Sequence, residues 1–118
     1  PVRILIVDDD ADTVHLYQRY LEDQAYDVNV ARSAVEAKGL LAEVLPDLVL
    51  LDVLMPREDG WAVLEYLKSV PKLADIPVII CSVLDQPRLA LALGAAMVLN
   101  KPVAEEELLQ AIDRLLND

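Results

Sequence analysis

Short aliphatic runs alternate strictly with longer segments of helical period along this chain, and this alternation restricts the fold more than any other feature. The clearest run is Val2–Val7, and the segment 12–24 that follows places Val14, Tyr17 and Leu21 on one helical face. The runs are almost continuously apolar, as in strands that are buried on both faces of a parallel sheet. The pattern therefore predicts an α/β domain with helices on both sides of the sheet.

Five strands and five helices are predicted in strict alternation. The predicted strands are 2–7, 27–31, 48–51, 77–81 and 96–99. The predicted helices are 12–24, one capped by Ser33 and Glu36 that runs to about residue 45, 61–70, a short one from about Pro87 to Gly94, and one after Pro102 with Leu108, Ile112 and Leu115 inward. Residues 55–60 are predicted to form a loop. Right-handed crossovers then favour a doubly wound five-stranded parallel sheet of order 2-1-3-4-5, which is the flavodoxin-like arrangement.

The length of 118 residues predicts a single domain over residues 1–118, and 55% apolar residues are enough for a sizeable core. No apolar run reaches the roughly 18 residues of a membrane span. The first residues also do not show the basic segment followed by an apolar segment that is typical of a signal peptide. The first residue is Pro1 and not Met, which suggests either a domain taken from a longer protein or a trimmed chain. Cys81 is the only cysteine, so a reducing, cytoplasmic compartment is expected.

Acidic residues outnumber basic ones by 21 to 10, which gives a net charge of −11. Such a chain repels phosphate backbones, so we expect this domain not to bind nucleic acid. No membrane partner is expected either, because no apolar run is long enough. The acidic balance also suits a site that attracts a cation, although a well-solvated surface explains it equally well.

Polar side chains follow four of the predicted strands at their carboxyl ends. The first strand ends in Asp8, Asp9 and Asp10, the third in Asp52, the fourth in Ser82 and the fifth in Lys101. In an open α/β sheet, ligands bind beyond these ends, where the strand order reverses. The first and third strands are central neighbours, so their aspartates should converge.

Converging carboxylates repel one another and must share either protons or a cation. Oxygen ligands alone favour a hard ion such as Mg²⁺, and the single histidine, His15, lies elsewhere. A carboxylate, a metal, the Lys101 ammonium and the Ser82 hydroxyl together make a set that can bind a phosphoryl group. Asp10 and Asp12 are interpreted as residues that start the first helix, and Asp59–Gly60 as turn chemistry.

These residues resemble the receiver domain of two-component response regulators, and the resemblance covers the whole chain. It is carried by residues 4–9, by 46–52 with Met55–Pro56 and Asp59–Gly60, by 77–82, by Gly94–Ala95 and by Lys101–Pro102. Each motif alone is weak, and their order and spacing together are specific.

The resemblance implies that Asp52 is the phosphoacceptor and that the phosphodonor is a histidine kinase or a phosphotransfer protein. It implies Mg²⁺ bound directly by Asp9 and Asp52, by Asp8 mainly through water, and by the backbone carbonyl of Leu54. Ser82 would be the switch hydroxyl and Lys101 the partner of the phosphoryl oxygens, with a cis Lys101–Pro102 bond. Such a domain is not an enzyme beyond intrinsic phosphotransfer and autodephosphorylation.

Two departures from the family pattern concern the output surface formed by the fourth helix, fifth strand and fifth helix. Val98 stands where the family usually has Tyr or Phe, and the fourth helix is expected to be short and unusually apolar. That surface is where family members self-associate or contact an output domain, and we expect it to be altered here.

Two other functions remain open from the residues. A phosphatase of the haloacid dehalogenase type would use Asp8 as the nucleophile in an Asp-x-Asp pattern with Asp10, but the chain is short for that fold. A receiver-like binding module that signals without phosphate is favoured by Val98 and opposed by the intact acidic set. The three glycines form no nucleotide-binding fingerprint.

Overall fold

The computed structural model describes residues 1–55, 58–83 and 86–117, with only the backbone of Glu58 and Asp59. Its elements, in chain order, are β1 (Val2–Val7), α1 (Ala11–Leu21), β2 (Tyr26–Ala31), α2 (Ala34–Glu43), β3 (Leu48–Leu51), β4 (Leu54–Met55), β5 (Glu58–Asp59), α3 (Gly60–Ser69), β6 (Val78–Ser82), α4 (Pro87–Ala92), β7 (Met97–Asn100) and α5 (Glu105–Leu116). No described helix is both long enough and apolar enough to cross a membrane.

The main sheet has five parallel strands in the order β2-β1-β3-β6-β7. The predicted order 2-1-3-4-5 is therefore confirmed, since β4 and β5 lie outside this sheet. Val7, at the end of β1, pairs with Ala31 on one side and with Leu51 on the other. This register brings the carboxyl ends of the three strands to one level.

Alternate residues of the central strands pack against opposite helical layers, because successive side chains of a strand point to opposite faces. One core contains Leu5, Val7, Val49 and Leu51 and packs with residues of α2 and α3. The other core contains Ile4, Ile6, Leu48 and Leu50 and packs with residues of α1 and α5. Both faces of β1 and β3 are thus buried, which explains their continuous hydrophobicity.

The predicted elements are all present, with ends that shift by a few residues. α1 ends at Leu21 rather than near residue 24, and α3 begins at Gly60. The expected cap of α2 is confirmed, since Ser33 Oγ accepts from Glu36 N at 3.1 Å. The carboxylate of Glu36 accepts from Arg32 N at 3.0 Å, one residue before the site that a standard capping box uses.

The prediction of a loop over residues 55–60 was wrong at both of its ends. Leu54–Met55 and Glu58–Asp59 pair as a two-stranded antiparallel hairpin, and Gly60 already belongs to α3. Strands of two residues carry no readable periodicity, so the sequence could not reveal them. Pro56 and Arg57 of the predicted loop lie outside the described residues.

Gly60 allows the start of α3 to approach the segment that carries Asp52. A Cβ atom at position 60 would lie 2.3 Å from Val53 Cα and 2.7 Å from the Asp52 carbonyl oxygen. Both are backbone atoms, which cannot move aside as a flexible side chain can. Gly94, which follows α4, has φ +107°, a conformation that residues with a Cβ rarely adopt.

We expect Gly60→Ala to lower the free energy of unfolding by about 3 kcal/mol, at the upper end of the cost of overpacking, because the new methyl group meets backbone. Gly39→Ala is the matched control: no atom lies within 4 Å of a Cβ at this exposed position in α2. It should raise the free energy of unfolding by about 0.5–1 kcal/mol. Urea denaturation of both variants provides the measurement, and equal stabilities would contradict the close approach of α3.

Candidate functional site

Asp8 and Asp52 lie side by side because the strands that precede them are paired. Asp52 N donates to Val7 O at 2.9 Å, which continues the β1–β3 ladder, and Asp8 N donates to Ala31 O at 3.1 Å. Both residues are buried, with 1% of Asp8 and 5% of Asp52 exposed. The sheet therefore places two carboxylates in a desolvated position at its carboxyl edge.

The ammonium of Lys101 bridges these two carboxylates. Its Nζ donates to Asp8 Oδ2 at 2.9 Å and to Asp52 Oδ2 at 3.1 Å. Lys101 follows β7, its backbone N donates to Ser82 O at 3.1 Å, and its bond to Pro102 is cis, as expected. One cation thus links the ends of β1, β3 and β7.

The second oxygen of each carboxylate accepts a backbone N–H from the loop that follows its own strand. Asp8 Oδ1 accepts from Asp10 N, and Asp52 Oδ1 accepts from Leu54 N, each at 2.9 Å. These bonds orient the carboxylates without adding positive charge.

The pKa values of this group reflect competition between burial and the ion pairs. Burial raises the pKa of the Asp8 carboxyl, and the hydrogen bond from Lys101 offsets only part of the rise. Burial by itself would lower the pKa of Lys101. Its hydrogen bond to Asp8 and the charges of Asp8 and Asp52 outweigh burial, so the pKa of Lys101 is raised.

Asp9 completes an acidic cluster suited to a hard cation. One carboxylate oxygen from each of Asp8, Asp9 and Asp52 can be chosen so that all three lie within 4.8 Å of one another. Lys101 supplies one positive charge against these three carboxylates, so a negative excess remains. Oxygen donors with this spacing fit a cation such as Mg²⁺ or Ca²⁺, which both prefer carboxylate ligands.

The other predicted site residues occupy the same edge of the sheet. Ser82 is fully buried at the end of β6 and pairs with Asn100, the residue before Lys101. Leu54 lies two residues beyond Asp52, at the start of the hairpin. The roles of the Ser82 hydroxyl and the Leu54 carbonyl stay predictions, as do those of Asp8, Asp9, Asp52 and Lys101.

The structure agrees with the interpretation of Asp10 and Asp12 as helix-starting residues. Asp10 occupies the N-cap position of α1, and Asp12 lies in the first turn. Thr13 Oγ1 donates to Asp10 Oδ2 at 2.6 Å, and this hydrogen bond lowers the pKa of the Asp10 carboxyl. Cys81 is buried in β6, as expected, and burial raises the pKa of its thiol to about 12.

The sequence reasoning missed Arg32, which follows β2. Its Nη2 donates to the backbone carbonyl of Asp9 at 2.8 Å, across 23 residues of chain. No motif indicates this contact, because a side chain that binds a backbone carbonyl leaves no paired residue type in the sequence.

Comparison with known proteins identifies the family. The family model for the response regulator receiver domain matches residues 4–113. The response regulator MprA of Mycobacterium sp. (strain KMS) is 43% identical, over 98% of this chain and 51% of the relative. The DNA-binding dual master transcriptional regulator RpaA of Synechocystis sp. (strain ATCC 27184 / PCC 6803 / Kazusa) is 36% identical, over 97% of this chain and 48% of the relative.

Solved structures give the same result. The signal receiver domain of a signal transduction histidine kinase from Syntrophus aciditrophicus has a TM-score of 0.89 and 36% identity, over 99% of this chain and 91% of that one. Chemotaxis protein CheY4 of Vibrio cholerae has a TM-score of 0.90 and 25% identity, over 98% of both chains.

The chain belongs to the response regulator receiver domain family of two-component signal transduction, whose general role is to accept a phosphoryl group. The family is not a class of conventional enzymes. The chain spans about half the length of the curated relatives that it matches.

The raised pKa of Lys101 predicts how the stability of the protein depends on pH. The folded pKa lies above the unfolded value of about 10.4, so the stabilisation is complete below that pH and is lost as pH rises through the folded pKa. At pH 7, Lys101→Met should lower the free energy of unfolding by about 3 kcal/mol, because two buried carboxylates lose their cation.

Urea denaturation of metal-free protein between pH 7 and pH 11 measures this effect. The difference between wild type and Lys101→Met should shrink above about pH 10.4. Lys72→Met, at an exposed lysine, is the control and should change little at any pH. A difference that stays constant across this range would contradict the assignment to the Lys101 ammonium.

Proposed function

We propose that the chain accepts a phosphoryl group on Asp52 and that the phosphorylated form changes an output surface. The observation that carries this proposal is the single Lys101 ammonium held between the buried carboxylates of Asp8 and Asp52, beside the carboxylate of Asp9. The excess of negative charge favours binding of a second cation, and the two cations together could neutralise the three oxygens of a phosphoryl group.

Membership of the receiver family supports Asp52, rather than Asp8, as the nucleophile. The environment of Asp8 agrees with this choice, because burial raises the pKa of its carboxyl and so disfavours the ionised, nucleophilic form. The family match also removes the basis for a phosphatase of the haloacid dehalogenase type, whose nucleophile would be Asp8.

Asp9 and Asp52 would bind Mg²⁺ directly, Asp8 through water, and the Leu54 carbonyl would add a further ligand. The ion supplies positive charge that neutralises the phosphoryl oxygens. This assignment is supported by the spacing of the three carboxylates, and the Leu54 N–H bond to Asp52 keeps that residue of the hairpin next to the site.

Phosphoryl transfer forms a bond between an Asp52 carboxylate oxygen and phosphorus as the bond from phosphorus to the donor nitrogen breaks. With phosphohistidine as the donor, the electron pair returns to the imidazole. Lys101 would exchange its contact with Asp52 Oδ2 for one with a phosphoryl oxygen and keep its contact with Asp8. The Ser82 hydroxyl would donate a hydrogen bond to another phosphoryl oxygen. Beyond accepting this phosphoryl group and hydrolysing its own aspartyl phosphate, the chain would catalyse no reaction.

The donor would be a histidine kinase or a phosphotransfer protein in the cytoplasm, and the receiver domain would comprise residues 1–118. Phosphorylation adds up to about two negative charges, which can bias a surface between two states. We assign this surface to α4, β7 and α5, through which the domain would self-associate or contact an output domain. Exposed Leu89, Leu91 and Leu93 on and just after α4 support that assignment.

We expect Mg²⁺ to raise the melting temperature of the wild type, because an ion that binds only the folded state stabilises it by about 2.7 kcal/mol at one hundred times its dissociation constant. Asp9→Asn should lose most of this increase, since it removes a ligand carboxylate. Asp23→Asn, at an exposed residue beyond the far end of α1, changes the net charge equally and should keep the full increase. An undiminished response in Asp9→Asn would contradict the assigned metal site.

The phosphoacceptor is tested by intact mass after incubation with a small phosphodonor and Mg²⁺. One added phosphoryl group is expected in the wild type and none in Asp52→Asn, which lacks the nucleophilic carboxylate. Addition that persists in Asp52→Asn and is lost in Asp8→Asn would move the nucleophile to Asp8. No addition to the wild type would favour a binding module that works without phosphate.

A further inference from the structure

Asp9 has the least supported carboxylate of the acidic cluster. Asp8 and Asp52 are each held by Lys101 and by a backbone N–H. Within the part of the chain that the structure describes, the half-buried Asp9 carboxylate accepts no hydrogen bond. Among its hydrogen-bonded groups, only the backbone of this segment can then influence where the carboxylate lies.

The peptide group between Asp9 and Asp10 is held at both of its ends. Its N–H, which belongs to Asp10, donates to Asp8 Oδ1 at 2.9 Å. Its carbonyl, which belongs to Asp9, accepts from Arg32 Nη2 at 2.8 Å. Because the peptide group is planar, two bonds on opposite sides fix its orientation and, with it, the backbone from which the Asp9 side chain departs.

Hydrogen bonds hold the backbone on both sides of Arg32. Its backbone N donates to Glu36 Oε1, and Glu36 N in turn donates to the Ser33 cap of α2. The preceding residue, Ala31, is the last of β2 and accepts from Asp8 N. The guanidinium thus contacts the loop after β1 from a backbone segment that is held between the end of β2 and the start of α2.

We propose that Arg32 is a positioning residue of the metal site, which orients Asp9 through the Asp9 carbonyl and leaves the Asp9 carboxylate oxygens available to the ion. No ion pair joins Arg32 to a carboxylate among the described residues. This inference rests on the proposed function, because it concerns how the same site binds Mg²⁺.

Positioning and charge predict opposite effects when Arg32 is removed. A guanidinium near an acidic cluster repels a divalent cation, so if its charge were its main effect, Arg32→Ala would bind Mg²⁺ more tightly. If Arg32 positions Asp9, Arg32→Ala would bind Mg²⁺ more weakly, by about tenfold, as is typical when a residue that supports a metal ligand is lost. The sign of the change decides between them.

The experiment measures the Mg²⁺ dissociation constant by calorimetric titration, without any phosphodonor, for wild type, Arg32→Ala, Arg32→Lys and Arg19→Ala. Lysine keeps one donor for the Asp9 carbonyl and should recover part of the affinity. Arg19→Ala removes the same charge at an exposed position on α1 and should bind as the wild type does. Thermal unfolding of the metal-free proteins shows which variants are folded.

A second readout requires no metal. Amide hydrogen exchange at Asp10 should be faster in Arg32→Ala, because one of the two bonds that hold its peptide group is gone, while exchange at Leu108 in α5 should not change. Two results would overturn the role of Arg32 but leave the proposed metal site standing. One is Mg²⁺ binding by Arg32→Ala that is unchanged or tighter, and the other is Mg²⁺ binding that is equally weak in Arg32→Ala and Arg32→Lys. A wild type that binds no Mg²⁺ would overturn both this inference and the metal site of the proposed function.

Discussion

The Lys101 ammonium between Asp8 and Asp52 is the interaction on which this end of the molecule depends, because it is the only charge compensation that the described residues offer two buried carboxylates. Moving a carboxylate away from water is costly unless a partner is present. The bridge also fixes the ends of β1, β3 and β7 relative to one another. A change in charge at this point therefore acts on groups at the ends of all three strands.

The supporting contacts around this bridge involve backbone groups, some from the same loop and some from a distant segment. The Asp10 N–H and the Leu54 N–H orient the two buried carboxylates, and Arg32 holds the peptide group that follows Asp9. The absence of a Cβ at Gly60 lets α3 begin against the backbone of Asp52 and Val53. Backbone donors do not titrate, which suits the change of charge that the proposed phosphorylation of Asp52 would bring.

The features that depart from the family pattern lie in β7, at one edge of the sheet, and in α4. Val98 is half-buried and packs against the core on the α2–α3 side of the sheet, at the position where the family usually has an aromatic ring. α4 has six residues, Pro87–Ala92, as its short span in the sequence predicted. A valine has no ring that can turn between an inward and an outward position, so the proposed response of this surface to phosphorylation cannot use such a movement at position 98.

The sequence by itself determined the alternation of strands and helices and the polar residues at the strand ends, because hydrophobic periodicity can be read from short stretches of sequence. It also determined the order of the sheet, because crossover connections between parallel strands are almost always right-handed. It could not determine the hairpin at Leu54–Asp59, whose strands are too short for a period, or the contact of Arg32 with the Asp9 carbonyl. Only the tertiary structure decided that Lys101 bridges Asp8 and Asp52, because that geometry depends on residues 49 and 93 positions apart meeting at one edge of the sheet.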